Sequence, residues 1–160
     1  MNKDLILFVC TGNTCRSPMA EYLLREAIAH EVLLSGVNVA SAGVAALPGD
    51  VASSHTLSVL NQVGIDARKH RSQRINQKLL DRSIGIFTMT QSHLSILKTE
   101  SYLPLPLYLL HHFTEDKKHQ EVPDPIGGSI KQYQRTRESI IVAIPFIINY
   151  IRTHYLGSAS

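Results

Sequence analysis

The sequence predicts an α/β fold: one doubly wound domain, a parallel sheet with helices on both faces. Three observations lead there. The continuous apolar run "LILFV" (Leu5 to Val9) is what a strand covered on both faces requires. Further strand-like runs then alternate with helix-period segments, as parallel sheets demand. The polar stretch "CTGNTCRSP" (Cys10 to Pro18) follows the first strand directly, at the carboxyl edge where such sheets place their ligands.

In order, Ser17 is placed to cap a first helix, Pro18 suits its first turn, and Met19, Leu23, Ala27 and His30 recur at helical spacing. "VNVASAG" (Val37 to Gly43) reads as a second strand, and "SSHTLSVLNQVGI" as a helix stopped at Gly64. "NQKLLDRS" is helical and leads into a third strand, "IGIFTMT" (Ile84 to Thr90), followed by the helix "SHLSILKT". "LPLYLL" supplies a fourth strand. A last helix runs from about Ser129 to Leu156, with a break expected at Pro145.

At 160 residues and 44% apolar content the chain fits a single domain, 1–160. A net charge of +3, dispersed along the chain, argues against nucleic acid as a partner. The apolar stretch before "TGNT" is too short for a signal peptide, and "IIVAIPFII" (Ile140 to Ile148) is about half a bilayer span, so no membrane partner is expected. Two cysteines, Cys10 and Cys15, cannot staple a domain of this size. A reducing, cytoplasmic setting and a chemical use of sulfur follow. The histidines, including His111 and His112, lack metal-ligand spacing and read as surface residues.

A loop passing from strand to helix presents successive backbone N–H groups to an anion, and the helix N-terminus adds positive potential. Gly12 would permit the tight backbone, Asn13 would hold a strained conformation through local hydrogen bonds, and Arg16 offers a planar fork for two phosphate oxygens. In that field Cys10 is expected to ionise well below the ordinary thiol range and act as a nucleophile.

These residues carry a resemblance. "VCTGNTCRSPMAE" resembles the phosphate-binding loop of the low-molecular-weight protein tyrosine phosphatase family, with its C-x5-R-[ST] pattern near the N-terminus. "SAG" (Ser41 to Gly43), "HRSQRI" (His70 to Ile75) and "DP" (Asp124, Pro125) occur in the family's order, so nearly the whole chain is covered. The resemblance implies a four-stranded parallel sheet, Cys10 as nucleophile through a phosphocysteine intermediate, Arg16 as phosphate clamp and Asp124 as general acid. Thr11, Gly12, Asn13, Thr14, Cys15, Arg16 and Ser17 would form the loop, with Asn13, Ser17, Ser41 and His70 fixing it. Ser17 would also donate to the sulfur. No metal or other cofactor is implied; phosphorylated proteins are the substrates, with phosphate and similar oxyanions as inhibitors.

Thr14 divides the family: "CTGNTCRS" is similar to the protein-arginine phosphatases, whereas tyrosine-specific members usually carry a larger aliphatic residue there. "MTQSH" (Met89 to His93) and "DPIGG" also lack positions common in tyrosine phosphatases, although Ala45 stands where either branch would have an aromatic wall. Phosphoarginine is therefore the expected substrate and phosphotyrosine the alternative. A thiol-coupled arsenate reductase would need relay cysteines beyond Cys15, and a non-catalytic phosphate-binding module would not need both Cys10 and Asp124. Finally, the curled loop should bring Cys10 and Cys15 together, making Cys15 a resolving thiol for an oxidised Cys10.

Overall fold

The computed structural model describes residues 2–101 and 104–157; the outermost limits of the expected domain 1–160 lie outside the described residues. Four strands form one sheet in the order β2-β1-β3-β4, all parallel: β1 Leu5–Cys10, β2 Asn38–Gly43, β3 Ser83–Thr88 and β4 Leu107–Leu109. The helices are α1 Arg16–Ile28, α2 Ser54–Asn61, α3 Gln77–Arg82, α4 Gln91–Glu100 and α5 Ile130–Ile151.

The alternation of side chains along β1 divides the core in two. Ile6, Phe8 and Cys10 face one layer with α1 and α5, while Leu5, Leu7 and Val9 face the other with Leu80 of α3 and Leu97 of α4. Both faces of the sheet are thus covered, which is why β1 and β3 are buried at every position. Burying one such aliphatic side chain is worth roughly 1.5–3 kcal/mol, so these two layers dominate the stabilisation.

Three local expectations give way to packing. Helix α1 has Cys15 rather than Ser17 at its N-cap, and its buried stripe is Met19, Ala20, Leu23, Leu24 and Ile28, leaving Ala27 exposed off that stripe and His30 exposed beyond the helix's end. Pro145 does not break α5, which runs unbroken to Ile151 and then loosens into a π-helical turn, Arg152–Leu156. Pro145 is exposed, so the donor that its ring removes is missing from the solvent side of the helix, where water can serve the freed carbonyl. His111 is buried, not superficial: its Nε2 lies 2.9 Å from the Ser139 hydroxyl.

Together α5 and its terminal turn, Ile130–Leu156, are long enough to cross a membrane and hold an 18-residue window with a mean hydropathy of 1.3. The helix is amphipathic, however, and buries Tyr133, Ile140, Ala143, Ile144, Ile147 and Ile151 in the α1 layer, as a core helix does. Gly64, with φ at +79°, supplies the left-handed residue that ends the α2 segment.

Candidate active site

Between β1 and α1 the chain curls through Thr11–Cys15, and its shape follows from where its carbonyls go. Cys10 O accepts from Val44 N at 3.0 Å, and Thr11 O from Ala45 N at 3.0 Å. Asn13 O accepts from His70 Nε2 at 2.8 Å, and Thr14 O from Ser53 N at 3.0 Å and Thr56 Oγ1 at 3.2 Å. Each acceptor is drawn outward into the surrounding protein. The amides on the other side of these peptide planes turn toward the loop's interior, forming a cradle for an anion at the start of α1.

The left-handed conformation belongs to Asn13, with φ at 58°, the residue that the sequence suggests would hold a strained backbone, while Gly12 is not among the described residues with positive φ. Asn13 tolerates it because every polar atom of its side chain is engaged: Nδ2 donates to Ser17 Oγ at 2.9 Å and Ser41 Oγ at 2.8 Å, and Oδ1 accepts from Gln73 N at 2.9 Å. The glycine that the loop requires for space is Gly43, paired with Cys10 across the sheet. A Cβ there would meet Thr11 O at 2.4 Å and Asn13 N at 3.1 Å, so any side chain would push the loop away from β2.

Cys10 is buried in the loop, 3% exposed. Its Sγ lies 2.8 Å from Ser17 Oγ, and the direction of that hydrogen bond can be derived. Glu21, 6% exposed and paired with Arg25, accepts from Ser41 Oγ at 2.6 Å. Ser41 having spent its proton on the carboxylate, it accepts from Asn13; Asn13 also donates to Ser17, leaving the Ser17 proton for the sulfur. A chain of four side chains therefore ends in a donor aimed at the Cys10 sulfur. His70 stands beside it, with Nδ1 4.0 Å from Glu21 Oε1.

Burial pushes the Cys10 thiol up, against the opposing pull of the Ser17 hydrogen bonds, the Arg16 charge and the Asn13 amide. This departs from the low value expected of the sequence, because the sulfur ends a strand whose face is the apolar core. Cys15 Sγ lies 3.4 Å from Ser53 Oγ and 3.3 Å from the Tyr133 hydroxyl, which burial and the Cys15 contact push up to about 12. Both thiols are free.

Arg16 is 4% exposed; its Nη1 donates to Val122 O at 3.0 Å and its Nη2 lies 3.5 Å from Asp124 Oδ2. Asp124 starts a turn, accepting from Ile126 N at 3.1 Å, and its side chain is 43% exposed. Cradle, thiol, buried guanidinium and half-exposed carboxylate thus converge from β1, α1 and the segment before α5, over the carboxyl edge of the sheet.

The sequence between residues 5 and 152 matches the family model for low molecular weight phosphotyrosine protein phosphatase. The chain belongs to that family. Among the family's curated members, the protein-arginine-phosphatase of Bacillus subtilis is 39% identical over 84% of this chain and 88% of its own length. That of Geobacillus stearothermophilus is 36% identical over 92% and 96%, and the protein-tyrosine-phosphatase PtpB of Staphylococcus epidermidis 33% identical over 84% and 90%. Among solved structures, the YwlE arginine phosphatase of Geobacillus stearothermophilus superposes with a TM-score of 0.81 at 34% identity, each chain 96% covered. A cysteine-to-serine mutant of YwlE whose active-site serine is phosphorylated gives a TM-score of 0.81 at 32% identity, with coverages of 92% and 95%. This phosphatase accordingly shares the fold of those relatives.

The family's loop and its supports Ser41 and His70 meet around Asn13, where the sequence placed them. Glu21 and Gln73 escaped the sequence reading, and His93, expected at the surface with the other histidines, is buried at 4% exposure because it packs between the exit of β3 and Thr11. Glu21 left a trace as a charged residue between the core positions Ala20 and Leu23. His93 sits at the third position of a capping box opened by Thr90, and its Nε2 reaches Thr11 Oγ1 at 2.8 Å.

Proposed function

We propose that this phosphatase hydrolyses protein phosphoarginine, with Cys10 as nucleophile, Arg16 as phosphate clamp and Asp124 as general acid. The observation that carries the substrate is the character of the loops flanking the cradle. Pro125 and Ile126 follow Asp124 where no aromatic pair stands, and Leu47 and Ile126 are each 70% exposed; Ala45, where either branch would carry an aromatic wall, does not discriminate. A phenol gains from stacking against aromatic walls, whereas an arginine presents an aliphatic stem and a cationic, hydrogen-bonding head. Thr14 adds a small polar side chain to the loop, and the two arginine phosphatases compared above support the same reading.

Chemically, the phosphoryl dianion enters the cradle and takes up the thiol proton, and the thiolate attacks phosphorus in line. The P–N bond breaks as Asp124 delivers its proton to the leaving nitrogen, while the amides and Arg16 neutralise the equatorial oxygens. In the second half a water gives its proton to Asp124 and attacks phosphorus, the new O–P bond forming as the S–P bond breaks, and Ser17 donates to the departing thiolate. Inorganic phosphate and similar oxyanions would inhibit by occupying the same cradle. Cys15, within the same loop, would capture an oxidised Cys10 as a reversible disulfide; after peroxide and then dithiothreitol, wild type should recover more activity than Cys15→Ser.

The test is direct. Rates on phosphoarginine and phosphotyrosine versions of one protein substrate, measured with one enzyme preparation, should favour phosphoarginine. A preference for phosphotyrosine would overturn the substrate assignment.

A further inference from the structure

His93 lies outside the loop it touches. It is 4% exposed, sits in the first turn of α4 and comes from the exit of β3, 82 residues along the chain from Thr11. Its protonation pattern follows from its partners. Thr90 N donates to Nδ1 at 3.2 Å, so Nδ1 carries no proton. In the neutral ring Nε2 then bears the hydrogen and donates to Thr11 Oγ1 at 2.8 Å. Burial, joined by the Arg16 charge and opposed by Asp124 and Glu121, holds the imidazole down at about 4, so this tautomer persists across the neutral range.

The same turn also holds the acid segment. Val122 N donates to Met89 O at 2.8 Å and Gln91 N to Glu121 Oε2 at 2.7 Å, while Val122 O is the carbonyl that receives Arg16 Nη1. The turn 89–93 therefore grips the cradle on one side, through His93 and Thr11, and the segment leading into Asp124 on the other. Thr11 is the first residue of the cradle, and only its carbonyl bond to Ala45 and this hydroxyl bond tie it to other segments among the described residues.

We infer that His93 is a positioning residue for catalysis: by donating from Nε2 to the Thr11 hydroxyl it registers the phosphate cradle against the acid-bearing segment. The inference rests on the phosphatase reading of the site but not on the choice between phosphoarginine and phosphotyrosine. A helix-capping role alone would leave Thr11 immaterial. The positioning role makes the two residues act as one.

A double-mutant cycle on a small activated aryl phosphate separates these cases, with vanadate inhibition and thermal unfolding measured in parallel. Thr11→Val removes the acceptor while leaving the α4 capping box whole. His93→Leu removes the donor, and His93→Gln restores a neutral donor. Thr11→Val and His93→Leu should each lower kcat/KM roughly 3- to 10-fold, the scale of one lost buried hydrogen bond, and weaken vanadate to match. The double variant should be no worse than either single one within about twofold, and His93→Gln should recover most of the loss. Losses that multiply in the double variant, or a Thr11→Val enzyme with wild-type kcat/KM and vanadate affinity, would overturn the inference. If His93→Leu does not fold, Thr11→Val alone decides: the same roughly 3- to 10-fold loss is expected, and wild-type kcat/KM and vanadate affinity would overturn the inference. A wild-type enzyme with no turnover of aryl phosphate would instead refute the phosphatase reading itself.

Discussion

Arg16 Nη2 stands 3.5 Å from Asp124 Oδ2, so the buried residue proposed as phosphate clamp and the one proposed as acid for the leaving group meet within one ion pair. Asp124 is half-exposed, and most of its contact with Arg16 is available for exchange with a ligand. Substrate phosphate would take over the guanidinium and free the carboxyl to face the leaving atom.

That relationship makes a prediction for Asp124→Asn. The amide cannot deliver a proton, so hydrolysis of a poor leaving group should fall about 10²-fold or more, and that of an activated aryl phosphate much less. Steady-state rates on the two substrate types check this; equal losses would reduce Asp124 to a structural partner of Arg16.

The chain Glu21, Ser41, Asn13, Ser17 predicts an effect far from the sulfur. In Glu21→Gln the carboxamide can donate as well as accept, the polarity of the chain is no longer imposed, and Ser17 can turn its proton elsewhere. Sulfur departure should then slow by roughly 10-fold, consistent with loss of one charge-supported hydrogen bond. Pre-steady-state kinetics should show a burst of leaving group followed by a slower steady rate than wild type.

His93 contributes a pH dependence to stability. Its folded value of about 4 lies below the ordinary 6.5, so the unfolded chain binds a proton that the folded one rejects. The contribution is whole above pH 6.5, shrinks as pH falls, and is gone below about 4; it amounts to at most about 3 kcal/mol. Denaturant melts of wild type and His93→Gln between these limits should show wild type losing stability faster on acidification, with Arg16, Asp124 and Glu121 common to both proteins.

Thr14→Ile tests the substrate boundary. Replacing a small polar wall with a bulkier apolar one should move the ratio of kcat/KM values from phosphoarginine toward phosphotyrosine by about 10-fold, on the scale of a few methylene groups in a pocket. Competition between the two substrates in one reaction measures that ratio.

What could be read from the sequence was what is contiguous. β1, the cradle and the start of α1 follow one another from Leu5 to Arg16, so their chemistry is written in order, and the alternation of apolar runs is enough to place the other strands. What could not be read depends on segments that meet only after folding. Ser17 looks like a cap until Asn13 and Cys10 are seen to claim its hydroxyl. Asn13 can be expected to hold a strained conformation through local hydrogen bonds, but its partners Ser41 and Gln73 come from other strands and loops. Pro145 looks like a break until the opposite face of α5 is found buried in the core. His93 carries no signal of contact with Thr11, because the sheet order alone puts the exit of β3 next to that of β1.

The central claim is that turnover runs through a phosphoryl group carried on Cys10. Rapid acid quench of the enzyme with excess phosphoarginine protein, followed by peptide mass spectrometry, measures it. The account predicts a phosphate adduct on the peptide containing Cys10, accumulating further in Glu21→Gln and absent in Cys10→Ala, which should not turn over. Steady hydrolysis by Cys10→Ala, or an adduct on any other residue formed at the rate of turnover, would contradict it.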